Sequence, residues 1–112
     1  MTSTPRTLSR IPADLRPLLP LPALDDLPAA KARGAECTWC ATRLSIATAV
    51  DLGERPAQGG ITLFLRGCHR CTLRAAAQAY IAHPGPCPQC VYDLKPCPVM
   101  QALRTLLLEL PR

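Results

Sequence analysis

Three Cys-x-x-Cys pairs fall within 54 residues of this chain, Cys37/Cys40, Cys68/Cys71 and Cys87/Cys90, and a seventh cysteine, Cys97, follows them. A chain of 112 residues supports one small domain. Its apolar content is 48%, drawn largely from Ala and Leu, with only four aromatic side chains to act as large anchors. A core of that kind needs a staple, either disulfides or metal. The chain is too apolar to be wholly disordered. It has no unbroken apolar run near the roughly 18 residues of a membrane span, and it is too short for a large α/β enzyme.

Metal is the better staple. Cys37/Cys40 and Cys68/Cys71 stand 27 residues apart, a spacing that suits a structural zinc with four thiolates closed around it. Two intervening residues let both sulfurs of a turn face one point. Cys68 and Cys71 open a helical stretch, where the positive helix end favours thiolates, and Gly67 before them suits a tight turn. The remaining donors, His83, Cys87, Cys90 and Cys97, read H-x3-C-x2-C-x6-C. They make a second set of three thiolates and one imidazole. Seven cysteines and one histidine fill two tetrahedra, whereas disulfides leave one thiol over. The expected cofactor is therefore two Zn2+. Spacing leaves open whether the pairs alternate between the metals. His69, caught between Cys68 and Cys71, reads as a solvent-facing residue.

Competing chemistries fit less well. Iron–sulfur ligation favours tighter clusters such as C-x2-C-x2-C. Cys87-Pro88-Gln89-Cys90 lacks the βαβ context of a thiol–disulfide exchanger. It also matches half of a zinc deaminase motif, yet neither His69 nor His83 is followed two residues later by the Glu that would shuttle protons. Four protein donors per metal leave no position for an activated water, so no enzymatic activity and no small-molecule substrate are expected.

The cysteines also divide the chain. Residues 1–35 contain six prolines and no cysteine, and read as a Pro/Leu-rich arm. Its leucines, from Leu15 to Leu27, suit a strap across the domain or a linear motif that docks on a partner. Residues 36–112 read as a two-zinc domain, with a first unit over 36–82 and the second zinc site plus a terminal helix over 83–112. Within it, Leu44, Ile46 and Val50 alternate as in a strand, and LGERPAQGG reads as a loop. A second strand then carries Ile61, Leu63 and Leu65 on one face. A helix follows with Leu73, Ala76, Ala77, Tyr80 and Ile81 as its apolar stripe, ended by HPGP. A last helix starts near Pro98, with Val99, Leu103, Leu106, Leu107 and Leu110 inward and Leu108 outside the stripe.

A CxxC turn, a β-hairpin and a second CxxC on the first turn of a helix resemble a treble-clef zinc finger over roughly residues 36–83. The resemblance implies a small α+β zinc-stabilised domain and a structural zinc, without an activity. First turns of this class often carry Gly after the second Cys, where this chain has Ala41. The Cys-rich pattern is also similar to small Cys-rich zinc proteins of GC-rich actinobacteria.

Charge narrows the functional classes. The formal net charge is +5, and 11 of the 13 cations are Arg. A GC-rich genome enriches Arg, Ala, Pro and Gly together, and nucleic-acid binding enriches Arg as well. Arg66, Arg70 and Arg74 recur every four residues and suit phosphate contacts or the offsetting of thiolate charge. Two zinc ions add four charges and displace seven thiol protons, so the +5 falls to +2. That surplus equals the arm's net charge, five cations against three anions; residues 36–112, at +3 before metal, come to zero. The expected function is macromolecular binding in a nucleic-acid or transcription-associated assembly. A protein adaptor acting through the arm or last helix is one alternative, and a thiol redox or zinc sensor is another. Trp39 is expected beside the metal or at an interface. With no export signal, the cytoplasm is the expected compartment.

Overall fold

The computed structural model describes residues 9–25, 27–93, 95 and 97–110. Part of the expected arm, residues 1–8, and the last two residues of the expected domain lie outside that set. In chain order come a 3-10 turn at Arg16–Leu18, a single helical turn α1 (Ala29–Ala32) and strands β1 (Ala49–Pro56) and β2 (Thr62–Cys68). Helices α2 (His69–Ala82), α3 (Pro88–Tyr92) and α4 (Pro98–Glu109) follow. The two strands form an antiparallel sheet in which Val50 faces Gly67 and Arg55 faces Leu63. The molecule is therefore small α+β, with α1 and α2 packed on the hairpin and α4 on α2.

The hairpin sits later in the chain than its sequence pattern suggests. Residues 44–48 form no strand. Ile46 is 97% exposed, and the Ser45–Thr48 turn is closed by the Thr48 N–H to the Ser45 carbonyl at 3.1 Å and the Ser45 N–H to the Thr48 hydroxyl at 2.9 Å. Such hydroxyl bonds offer the backbone an alternative to a ladder. The strand instead runs on through Gly53, Glu54, Arg55 and Pro56, which read as loop in the sequence. It does so because a register shift between Asp51 and Gly53 absorbs the glycine as a β-bulge, and Pro56 stands at the strand's last position. Leu63 and Leu65 are buried, whereas Ile61 is 60% exposed just before β2.

Helix α2 also presents a different face from the one expected. Its buried residues are Thr72, Ala75, Ala76 and Ala79, and Ile81 is 78% exposed. Small side chains let this helix approach closely, while the larger Leu73 and Tyr80 flank the contact. Helix α4 buries Leu103, Leu106 and the following Leu110, with Leu108 outside. Helices α1 and α3 have no counterpart in the sequence reading.

A single hydrophobic cluster takes Ile11, Leu15 and Leu19 together with Val50, Leu52, Leu63, Leu65, the α2 alanines and the α4 leucines. The Pro/Leu-rich segment thus supplies core side chains. It is tied on by backbone as well: the Ile11 N–H donates to the Asp51 carbonyl at 3.0 Å, and the Asp51 N–H to the Ser9 carbonyl at 2.8 Å. The Arg55 guanidinium donates to the Arg16 carbonyl at 3.2 Å.

Candidate metal centres

The eight expected ligands converge as two separate tetrads, Cys37/Cys40/Cys68/Cys71 and His83/Cys87/Cys90/Cys97. Within each tetrad, all donor atoms lie within 4.8 Å of one another. The pairs do not alternate between clusters. His69 belongs to neither.

The first tetrad joins a turn to a helix. The Cys37–Cys40 turn is held by the Ala41 N–H to the Cys37 carbonyl at 3.0 Å and the Cys37 N–H to the Thr42 carbonyl at 2.8 Å. Ala41 has φ +62°, so the position where glycine is common adopts the left-handed conformation with an alanine in place. The Thr38 N–H donates to the Arg66 carbonyl at 2.9 Å and docks the turn on β2. Gly67 lacks positive φ. Its glycine serves close approach instead, because a Cβ there would strike the Trp39 ring and the Thr72 hydroxyl. Trp39 itself is half-buried, and its Nε1–H donates to the Pro20 carbonyl at 3.0 Å, pinning the Pro/Leu-rich segment over the site. Cys68 caps α2, accepting the Cys71 N–H at 3.4 Å.

The second tetrad is built from helix ends. His83 caps the C-terminus of α2, Cys87 is the N-cap of α3 and Cys97 the N-cap of α4. Proline follows both N-cap cysteines, at Pro88 and Pro98. Proline brings no N–H, so the next two residues supply the donors. Backbone N–H groups of Cys90 and Gln89 hold the Cys87 thiol below its ordinary value. Those of Met100 and Val99, with His83, do the same for Cys97.

Distances test whether zinc fits. Tetrahedral zinc, with bonds of about 2.3 Å to sulfur and about 2.0 Å to imidazole, sets sulfur–sulfur edges of about 3.8 Å and a sulfur–nitrogen edge of about 3.6 Å. Cys40 and Cys68 sulfurs lie 3.8 Å apart, those of Cys87 and Cys97 3.9 Å, and Cys97 Sγ lies 3.6 Å from His83 Nε2. All seven cysteines are free thiols. The donors therefore fit two tetrahedral metal ions, and thiolate-rich sets favour zinc among common metals.

Protonation supports the same conclusion. The Thr42 hydroxyl, 3.0 Å from the Cys40 sulfur, draws that thiol down to about 6. Burial pushes Cys68 and Cys71 up, Cys71 far beyond its ordinary value. In the second tetrad burial pushes Cys90 up to about 12. Several negative sulfurs crowded into one small volume repel one another. A divalent cation removes that conflict.

The basic stripe resolves into two parts. Arg70 and Arg74 are exposed on α2, four residues apart. Arg66 lies on β2, before the helix begins, with its side chain on the outer hairpin face opposite Asp51. Helical spacing therefore relates Arg70 to Arg74 and does not extend to Arg66. Comparison with family models, curated proteins and solved structures finds no match to this chain. Among the described residues, no helix is long and apolar enough to cross a membrane.

Proposed function

We propose that this chain is a treble-clef-type two-zinc module that acts by binding a macromolecule, with nucleic acid as the partner class, and that it carries no catalysis of its own. The observation that carries the reading is the pair of closed tetrads: each has four protein donors within 4.8 Å, enough to fill a tetrahedral zinc and leave no open position for substrate or water. Cys37, Cys40, Cys68 and Cys71 would hold one ion, and His83, Cys87, Cys90 and Cys97 the other. The ions supply cross-links. The order of CxxC turn, hairpin and CxxC-bearing helix supports the treble-clef reading, and the exposed arginines on α2 and β2 support the nucleic-acid partner.

An adaptor role is the second reading, favoured by Leu108 and Tyr92, which are 70% and 86% exposed on α4 and α3. Docking through the Pro/Leu-rich segment is disfavoured, because Ile11, Leu15 and Leu19 are committed to the core. Binding of the zinc-loaded chain to generic single- and double-stranded nucleic acid across a salt series tests the main reading. Affinity that falls with salt supports it. Absent or salt-insensitive binding, with a protein partner captured through Leu108 and Tyr92, replaces it with the adaptor.

A further inference from the structure

Two glycines with positive φ each lie beneath an arginine side chain. At Gly34, φ +78°, an ideal Cβ would stand 2.6 Å from the Phe64 carbonyl oxygen and 3.0 and 3.1 Å from Cδ and Cγ of Arg66. At Gly53, φ +90°, it would stand 2.7 to 2.8 Å from Cδ, Cζ and Nε of Arg16. Glycine adopts these angles readily, and at both positions the arginine side chain lies against the bare Cα. Arg16 is fixed further by its Nε–H, which donates to the Ile11 carbonyl at 3.0 Å. Both arginines line one concavity of about 470 Å³ on the outer hairpin face, together with Arg10, Asp51, Glu54 and Phe64. It adjoins a smaller hollow of about 190 Å³ that shares Arg10, Asp51 and Arg66 and reaches Ile46.

The charges here differ from an ordinary solvated surface. Three arginines face two carboxylates, leaving one net positive charge. Asp51 is already engaged, accepting the Gly53 N–H at 2.8 Å on Oδ1 and standing 3.6 Å from Arg10 Nε through Oδ2. With two zinc ions bound, the surplus charge of the chain equals that of its N-terminal 35 residues. Arg10 and Arg16 come from that segment and Arg66 from the hairpin, so three arginines from distant parts of the chain meet in one groove. Phe64, 47% exposed, adds an aromatic face among them.

The geometry points to this groove as a binding site for single-stranded nucleic acid, with phosphates on Arg10, Arg16 and Arg66 and one base stacked on Phe64. This inference rests on the nucleic-acid reading and moves its contact surface from the helix arginines to the outer hairpin face. Guanidinium groups held in place before binding lose little freedom on meeting a phosphate. Base–aromatic stacking tolerates any base, so sequence preference is weak.

The test uses the zinc-loaded full chain and a fluorescently labelled ten-nucleotide single strand, with zinc content measured for every variant to certify folding. Arg10→Gln and Arg66→Gln each weaken binding about tenfold and make the dependence of log affinity on log salt shallower by about 0.7. Phe64→Leu weakens binding severalfold without changing that slope. Arg104→Gln, exposed on α4 and outside the groove, leaves affinity unchanged. Loss confined to Arg70→Gln and Arg74→Gln overturns the groove and leaves the nucleic-acid reading standing. No binding of any strand by the unmodified chain overturns both. Equal competition by a free nucleoside monophosphate overturns the assignment to a strand.

Discussion

The Cys97 sulfur lies 3.6 Å from Nε2 of His83, so the N-terminus of α4 and the C-terminus of α2 meet at one candidate metal ion. The two helices also pack against each other, whereas among the described residues α3 makes no extensive contact with another element. The second donor set, His83, Cys87, Cys90 and Cys97, is therefore the expected tie between the ends of these helices. Cys97→Ser is expected to yield a protein with one zinc instead of two, read by mass spectrometry under native conditions. Limited proteolysis of that variant should cut first within 84–96, while the first tetrad keeps its ion. Loss of both ions would show that the two sites do not fold independently.

Zinc affinity should depend steeply on pH, with a calculable sign. Cys68 and Cys71 sit above their ordinary values and are neutral at pH 7, so zinc must displace a proton from each. Affinity of the first site therefore falls as pH falls, by at least about a hundredfold per unit from these two protons. Below about 6, where Cys40 also takes up a proton, a further displaced proton steepens the fall. Competition with a chelator of known affinity from pH 8 to pH 5 measures this. A flat profile would show that the thiols are not the ligands.

Along the Pro/Leu-rich segment, neighbouring leucines should respond very differently. Leu15 is 3% exposed and Leu18 38%. Leu15→Ala is expected to cost about 2 to 3 kcal/mol of stability through lost burial and a cavity. Leu18→Ala should cost less than about 0.5 kcal/mol. Denaturant titration of zinc-saturated protein checks the contrast, and equal effects would show that the segment does not lie over the core in solution.

Gly67 and Trp39 offer a matched pair. Gly67→Ala drives a methyl group into the Trp39 ring and Thr72, at an expected cost of about 1 to 3 kcal/mol from overpacking. Trp39→Ala removes the ring and the hydrogen bond to Pro20, at about 3 kcal/mol. Combined, the two should cost less than their sum, because removing the ring relieves the clash. Additive losses in the same denaturant assay would contradict the contact.

The three CxxC pairs are legible because two intervening residues let neighbouring sulfurs face one point, whereas His83 and Cys97 are reached only by counting eight donors into two tetrahedra. The α4 face was readable for a similar reason: its leucines mark one side of a helix unambiguously. Helix α2 was not, since Ala75, Ala76, Ala77 and Ala79 surround it with small residues and only close packing selects among them. The start of β1 was misplaced because Leu44 and Ile46 alternate without being buried. Its true end was hidden because Gly53 and Pro56 signal a turn until a bulge and a strand terminus account for them. Arg66 shared a spacing with Arg70 and Arg74 but not a helix. Arg10 and Arg16 carry no local signal, since they meet Arg66 only through the docking of the segment before α1.

The central expectation is two metal ions held by eight side chains. Mass spectrometry of the intact chain under native conditions, after expression with zinc and without added chelator, counts them directly. The expected result is two zinc ions per chain, with seven protons fewer than the metal-free thiol form. One ion, none, or a mass showing disulfides in place of thiolates would contradict the assignment of these ligands.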